Sequence, residues 1–352
     1  MTGLQVKGSR RAGTAPTLSD VARAAGVSPM TVSRVINKDG AVRAETRERV
    51  MSAISALNYA PNSAARVLAG AARTRIALIY VNPSSAYLSE VLVGCLAEAG
   101  HSDVQLLLEQ WSDCGAEAGA RRLAASGIDG VILPAPMCDD AGIAALMRAA
   151  GVPTVALATG QPDAHDFAVA IDDAGAAADM TRYLIARGHR RIGFIAGDPG
   201  ASSSARRRHG YVQALRDAGL PTEPALIAQG DFSYRSGLAA AELLLALAMP
   251  PTAIFASNDD MAAAVVAAAH RRHLDVPHQL SVCGFDDTAL ATSISPELTT
   301  VRQPVAAMAQ AAVEILASAA RRRRSGQPAG GERRLFQHSL VERESVGEML
   351  AM

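Results

Sequence analysis

The 352-residue chain has only four cysteines, Cys95, Cys114, Cys138 and Cys283. No two form a CxxC pair and none has a histidine at metal-ligand spacing. That pattern excludes a disulfide framework and a zinc module, and reduced, mostly buried thiols are expected. Long apolar runs are also missing: the longest, at 76–81 and the alanine-rich 261–269, fall well short of the roughly 20 residues that cross a bilayer. The opening stretch MTGLQVKGSRRAGTAPT lacks the apolar core of a signal peptide, so a cytoplasmic location is expected. There is no HExxH and no nucleophile–base motif. Gly193, Gly197 and Gly200 follow an expected strand, but without the spacing of a dinucleotide loop or an acidic ribose partner. The eight histidines are scattered, and His189 in RGHRR reads as a surface or turn residue. Neither an enzyme nor a cofactor is therefore expected.

Net charge is absent too, with 34 basic against 34 acidic residues. That balance conceals an asymmetry. Residues 1–75 hold 12 Lys and Arg against 4 Asp and Glu, or +8, which leaves 22 against 30, or −8, for the remainder. A basic head on an acidic body fits a protein whose head meets a polyphosphate. Otherwise the composition, 49% hydrophobic and 19% charged, is that of an ordinary globular chain with room for one large or two medium domains.

The head reads as three helices. Thr17 with Asp20 three residues later starts the first, Val21, Ala24 and Ala25 give its apolar face, and Gly26 ends it. Ser28 caps a second helix with Pro29 in its first position, where a missing N–H costs nothing. Val32, Val35 and Ile36 lie on its buried side, leaving Met30, Thr31, Ser33, Arg34 and Asn37 outward. A third helix at 44–57 closes the core with Val50, Ile54 and Leu57. Two short helices joined by a glycine turn form a helix-turn-helix, whose second helix fits the DNA major groove.

The segments TLSDVARAAGVSPMTVSRVIN and TRERVMSAISALNYAPN resemble the LacI/GalR family of bacterial repressors, and the likeness continues to about Ser345. It implies an all-α helix-turn-helix DNA-binding domain at 16–60, a hinge at 61–74, and a two-lobed α/β effector domain of the periplasmic-binding-protein type at 75–345. It further implies that Thr17, Ser28, Thr31, Ser33, Asn37, Tyr59 and Asn62 hold phosphates, while Pro29, Met30 and Arg34 face base edges. Leu18 and Ala65 complete the DNA-contact set. A guanidinium at Arg34 pairs bidentately with guanine O6 and N7; Met30 makes apolar contact with a thymine methyl or is merely permissive. The chain departs from the family at Arg43, where a Ser or Thr cap is usual, at a cost of a few tenths to about 1 kcal/mol.

In the hinge, Asn62 caps a stretch at 63–69 that Gly70 stops. Two turns of helix are too few to stand alone, where about 12–15 residues are needed. The bland reading is a linker. The resemblance implies instead a helix that orders only with its dimer mate on operator DNA, with Leu68 wedged into the minor groove and Arg66 beside it. Such a marginal helix is a physical switch.

From residue 75 onward, short apolar runs (76–81, 104–108, 130–134, 153–157, 191–196, 252–256 and 281–285) alternate with alanine-rich helical stretches. This predicts parallel sheets covered on both faces, with ligands bound beyond the strands' carboxyl ends. The family implies one lobe from about 75–171 and 305–333, and another from about 172–303 and 334–345. Arg207, Asn258 and Asp286 each follow an expected strand and match pocket positions. A guanidinium, an amide and a carboxylate together bond the hydroxyls of a sugar as donors and acceptors. Phe232 matches a stacking aromatic, and Asn82, Tyr87 and Gln303 are candidates for the rim and the other lobe. Ala158 stands where many relatives carry an aspartate. The run at 321–324 reads as a solvated helix end.

The expected function is a sequence-specific repressor, binding a pseudo-palindromic operator as a homodimer and released by a sugar-type effector. A nucleoside or other metabolite, acting even as a corepressor, is the alternative. The chain stops soon after Ser345, which leaves no room for a tetramerisation helix. A periplasmic sugar-binding protein and a nucleotide-dependent enzyme are the competing classes. The head and the missing leader argue against the first, and the missing glycine fingerprint against the second.

Overall fold

The computed structural model describes residues 16–36, 42–57, 59, 73–80, 84–111, 115–328 and 330–349. Asn37, Asn62, Ala65, Arg66, Leu68, Asn82 and Cys114, and nearly all of the expected hinge, lie outside them. The chain divides into two units, residues 1–73 and residues 74–352.

The first unit contains α1 (Leu18–Ala25), α2 (Pro29–Ile36) and α3 (Ala44–Ala56). Val21, Ala22, Ala25, Val32, Val35, Val50, Ala53 and Tyr59 form its small core. Ala22 is buried and Ala24 exposed, the reverse of the expected assignment. Helical spacing accounts for it, since Leu18, Val21, Ala22 and Ala25 recur at i, i+3, i+4 and i+7 on one face.

The second unit has two six-stranded sheets. The first has the order β11-β5-β4-β3-β1-β2, comprising β1 (Thr74–Tyr80), β2 (Val104–Gln110), β3 (Gly130–Pro134), β4 (Thr154–Leu157), β5 (Phe167–Ile171) and β11 (Glu332–Phe336). The second has the order β12-β10-β9-β8-β6-β7, comprising β6 (Ile192–Ala196), β7 (Ile227–Gln229), β8 (Ala253–Ala256), β9 (Ser281–Asp286), β10 (Thr299–Arg302) and β12 (Ser339–Val341). All pairings are parallel except β10 with β12.

Helices cover both faces of each sheet. Along β1, Ile76 and Leu78 pack toward α4 (Ser85–His101) and α11 (Val305–Arg324), while Ala77 and Ile79 pack toward α5 (Ala116–Ala125) and α6 (Ala141–Ala149). This alternation is the period of two that a strand imposes. The second sheet is covered by α7 (Asp173–Ala186) and α8 (Ser202–Asp217) on one side, and by α9 (Tyr234–Leu245) and α10 (Asp259–Arg271) on the other. At Gly94 a Cβ would lie 2.1 Å from the Ala306 carbonyl oxygen, so only glycine lets α4 and α11 pack this closely.

The chain crosses between sheets after β5, after β10 and after β11. Since β11 runs through Phe336, the last crossing lies at 337–338 rather than at 333–334. Five strands escaped the βα reading: β5, β7, β10, β11 and β12. A nine-residue connection holding only a 3-10 turn (Pro162–Ala164), and no α-helix, separates β5 from β4, β7 has three residues, and β11 is the charged edge strand ERRLF. His189 is also corrected. It is 2% exposed, with Nδ1 2.9 Å from the Thr252 hydroxyl, because the turn after α7 carries it against the strand beside β6. The three described cysteines are buried and free, and burial pushes the Cys95 thiol up to about 12. No helix among the described residues is long and apolar enough to cross a membrane.

Candidate DNA-reading face and ligand cleft

In the head, Thr17 and Asp20 cap α1 reciprocally: the Asp20 N–H donates to the Thr17 hydroxyl (3.3 Å), and an Asp20 carboxylate oxygen accepts from the Thr17 N–H (2.9 Å). Gly26 closes the helix in the left-handed region at φ 63°. The Ser28 hydroxyl accepts from the Thr31 N–H at 3.2 Å, starting α2. Val32 and Val35 turn inward, so Pro29, Met30 and Arg34 share the exposed face. Met30 is 67% exposed, while Leu18, Thr31 and Ser33 are half-buried. Tyr59 packs into the core. Arg43 precedes α3 without a side-chain cap bond. Arg49 was not singled out from sequence. Its Nη2 donates to the Ala25 carbonyl at 2.6 Å and so caps α1 from α3. A cation facing the end of a preceding helix was the available signal.

In the body, Tyr87, Ala158, Arg207, Phe232, Asn258 and Asp286 converge on one small cavity between the lobes, joined by Pro134, Ala135 and Ser203. Arg207 is 4% exposed and already satisfied. Its Nε donates to Asp173 at 2.8 Å, its Nη1 donates to the Ser257 carbonyl at 2.6 Å, and Asp286 lies 3.8 Å away. The guanidinium carbon is 3.7 Å from the centre of the Phe285 ring and 5.9 Å from that of Phe232. Asn258 caps α10 by accepting from the Met261 N–H (3.0 Å), and its Nδ2 donates to the Phe232 carbonyl (2.9 Å). Gln303 stands behind the cavity and donates to Asp286 at 2.6 Å. Phe232 (φ 69°), Ala158 (φ 57°) and Asp286 (φ 112°) are all left-handed without being glycine. Such strain collects at functional sites. A Cβ at Gly197 would meet the Phe232 ring at 2.1 Å, so this glycine makes room for the aromatic.

Two carboxylates, Asp173 and Asp286, flank the guanidinium, and a third, Asp259, acts on Asp286. Burial raises the pKa of Asp286, with Arg207 opposing and Asp259 reinforcing. Burial likewise raises Asp173, against the pull of Arg207. Asp259, fully buried, is pushed up to about 7 by burial, although Thr300 and Thr288 donate to it at 2.6 and 2.7 Å. Sequence reading missed Asp173 and Asp259, because nothing local marks an acid that packs behind a pocket.

Hydrogen bonds cross between the lobes beside this cavity. The Ser84 hydroxyl donates to Asp260 at 2.5 Å. The Ser202 N–H donates to Asp139 at 2.8 Å, and its hydroxyl accepts from the Gly160 N–H at 2.8 Å. Among the described residues no group of His, Cys, Asp and Glu is placed to hold a metal ion.

The head and the body each resemble known proteins. The model for bacterial regulatory proteins of the lacI family matches residues 17–62, and that for the periplasmic binding protein-like domain matches residues 181–346. The HTH-type transcriptional regulator DegA of Bacillus subtilis (strain 168) is 33% identical over 339 residues, covering 94% of this chain and 96% of that protein. Catabolite control protein A of Priestia megaterium is 34% identical, covering 85% and 91%. The HTH-type transcriptional regulator CelR of Thermobifida fusca is 34% identical, covering 94% and 98%. Among solved structures, a CelR–cellobiose complex matches with a TM-score of 0.71 at 33% identity, covering 94% of this chain and 99% of that one. The lac repressor dimer bound to operator and the anti-inducer ONPF matches with a TM-score of 0.77 at 28% identity, covering 95% and 100%. The chain is therefore a DNA-binding transcriptional regulator and not an enzyme, and it belongs to the lacI family of bacterial regulatory proteins.

Proposed function

We propose that this regulator is a homodimeric repressor of a carbohydrate-utilisation operon, released from a pseudo-palindromic operator by a small sugar-type effector. The observation that carries the reading is the buried set Arg207, Asp173 and Asp286 beside Phe232, in a cavity between the lobes. A fixed donor fork next to carboxylate acceptors suits adjacent hydroxyls, and the ring suits the apolar face of a pyranose. As the lobes stand, this cavity is only about 30 Å³, room for about one water, so the effector enters when the lobes part. The hydrogen bonds of Ser84 and Ser202 would then break, and they would reform around the ligand in a new geometry. The resulting change in lobe spacing reaches operator DNA through the hinge at 61–74. A coupling of about 1–3 kcal/mol gives a five- to hundred-fold change in operator affinity.

On the operator side, Pro29, Met30 and Arg34 meet base edges while Thr17, Leu18, Ser28, Thr31, Ser33, Asn37, Tyr59 and Asn62 hold the backbone. Ala65, Arg66 and Leu68 enter the minor groove. On the effector side, Asn82, Tyr87 and Gln303 assist Arg207, Asn258, Asp286 and Phe232.

One observation favours the alternative effector class. Alanine at 158 leaves the Phe232 ring without an opposing carboxylate, which suits a flat heteroaromatic ligand. The test is to select an operator from random duplexes with the full chain, then measure affinity with panels of sugars and of nucleobases and nucleosides. Weakening by at least five-fold with a sugar supports the proposal. A response confined to nucleobases, or tighter binding with ligand, overturns the sugar-released reading. Operator binding that survives deletion of residues 1–72 overturns the assignment of the head.

A further inference from the structure

The first lobe holds a second cavity, of about 260 Å³, away from the cleft. Its origin is topological. The chain after β3 forms α6, which packs on that face of the sheet, but after β5 the chain leaves for the other lobe, so no helix follows β5 there. β4 and β5 turn Thr154, Ala156 and Ala168 toward this face, and side chains this small leave unfilled the space a helix would occupy. Leu133, Val152 and Ala156 give the cavity an apolar floor, while Arg148, His165 and Asp166 form its polar side.

The polar groups are unspent. Arg148 is exposed, and its guanidinium has no ion pair or hydrogen bond among the described residues. The His165 imidazole likewise has no hydrogen-bond partner among them, while its backbone carbonyl accepts from Arg333 at 2.7 Å and so holds the residue in place. Partial burial lowers the His165 pKa, keeping the ring neutral with one N–H to donate, and the nearby Arg148 charge acts in the same direction.

We propose that this cavity binds a small organic monoanion, a carboxylate on an apolar body. The carboxylate pairs with the Arg148 fork and accepts from the His165 ring, and the hydrocarbon lies on Leu133, Val152 and Ala156. Asp166 repels a second negative charge, which selects against dianions such as phosphate monoesters. The volume is near the lower end for ligand pockets and holds a body of about a dozen heavy atoms.

Benzoate is a suitable probe, titrated into the full chain while the imidazole signals of His165 are followed by NMR. The expected result is a saturable shift at His165, with the neutral isostere benzamide binding at least ten-fold more weakly. Arg148→Gln, at an exposed position that leaves the fold intact, is expected to lose at least ten-fold in benzoate affinity. No saturable shift at His165, equal affinity for benzamide, or unchanged affinity in Arg148→Gln would each overturn the proposal. Because Arg148 and His165 do not line the interlobe cavity, the result is independent of what that cavity binds.

Discussion

In the head, Met30 and Arg34 lie exposed on a face whose reverse side is a packed core of eight residues. In the cleft, the groups proposed to meet the effector are already engaged. Arg207 is held by an aspartate and a carbonyl, Asn258 caps a helix, and Gln303 braces Asp286. The first surface already presents its side chains outward on a folded helix. The second must exchange internal bonds for ligand bonds, so its affinity is a difference between two satisfied states. An exchange of that kind can couple binding to a change of shape, whereas a preformed face reports only whether its partner is there.

Asp286→Ala tests the contrast most severely. It removes the acceptor and unburdens Arg207, and is expected to abolish the ligand response while leaving operator affinity within about two-fold, since the sites are separate. A normal ligand response in a fluorescence-anisotropy titration would remove Asp286 from the pocket. Arg34→Ala is the mirror experiment, expected to weaken specific operator binding by about 1–3 kcal/mol with effector binding intact in calorimetry. Equal operator affinity would sink the major-groove assignment.

The buried acids sharpen the comparison through pH. Asp259 is pushed up to about 7 in the folded chain, above its ordinary value of 3.8. Between these values the native state keeps a proton that the unfolded chain releases. The stability from this difference is therefore fully present below the ordinary value and is lost as pH rises through 7. Thermal unfolding of the body is expected to fall in Tm from pH 5 to pH 8, with a shallower fall in Asp259→Asn; an unchanged slope would exclude Asp259 as its source. The smallest effect belongs to the head, where the helix start at Arg43 lacks a side-chain cap. Arg43→Ser is expected to stabilise the isolated melting transition of the head by about 0.5–1 kcal/mol. A lower Tm would show that the arginine contributes more than a cap would.

The legibility of the sequence followed the same division. The head was readable almost residue by residue, because capping boxes, a proline-started helix and a left-handed glycine are local chemistry. Its misassignment of Ala22 and Ala24 came from departing from the 3.6-residue period that Leu18, Val21 and Ala25 set. In the body, most interior strands stood out as apolar runs, but β5 and β10 did not, nor did the edge strands β7, β11 and β12, which are short or charged. Asn258 and Asp286 could be placed at strand ends, whereas Arg207 comes from within α8 rather than from the end of β6. The engagement of each could not, because Asp173, Ser257 and Asp259 come from distant segments brought together only by the two sheets.

By itself the sequence determined the elements of the head, the α/β character of the body, and which polar side chains stand at strand ends. These depend on periodicity and on groups within a few residues of one another. The tertiary structure alone decided that the cleft closes on its own hydrogen bonds, that two buried acids flank one arginine, and that β5, left without a helix, opens a cavity beside Arg148 and His165. Each of those is a meeting of residues far apart in the chain, set by how the strands are ordered in the sheets rather than by any local preference.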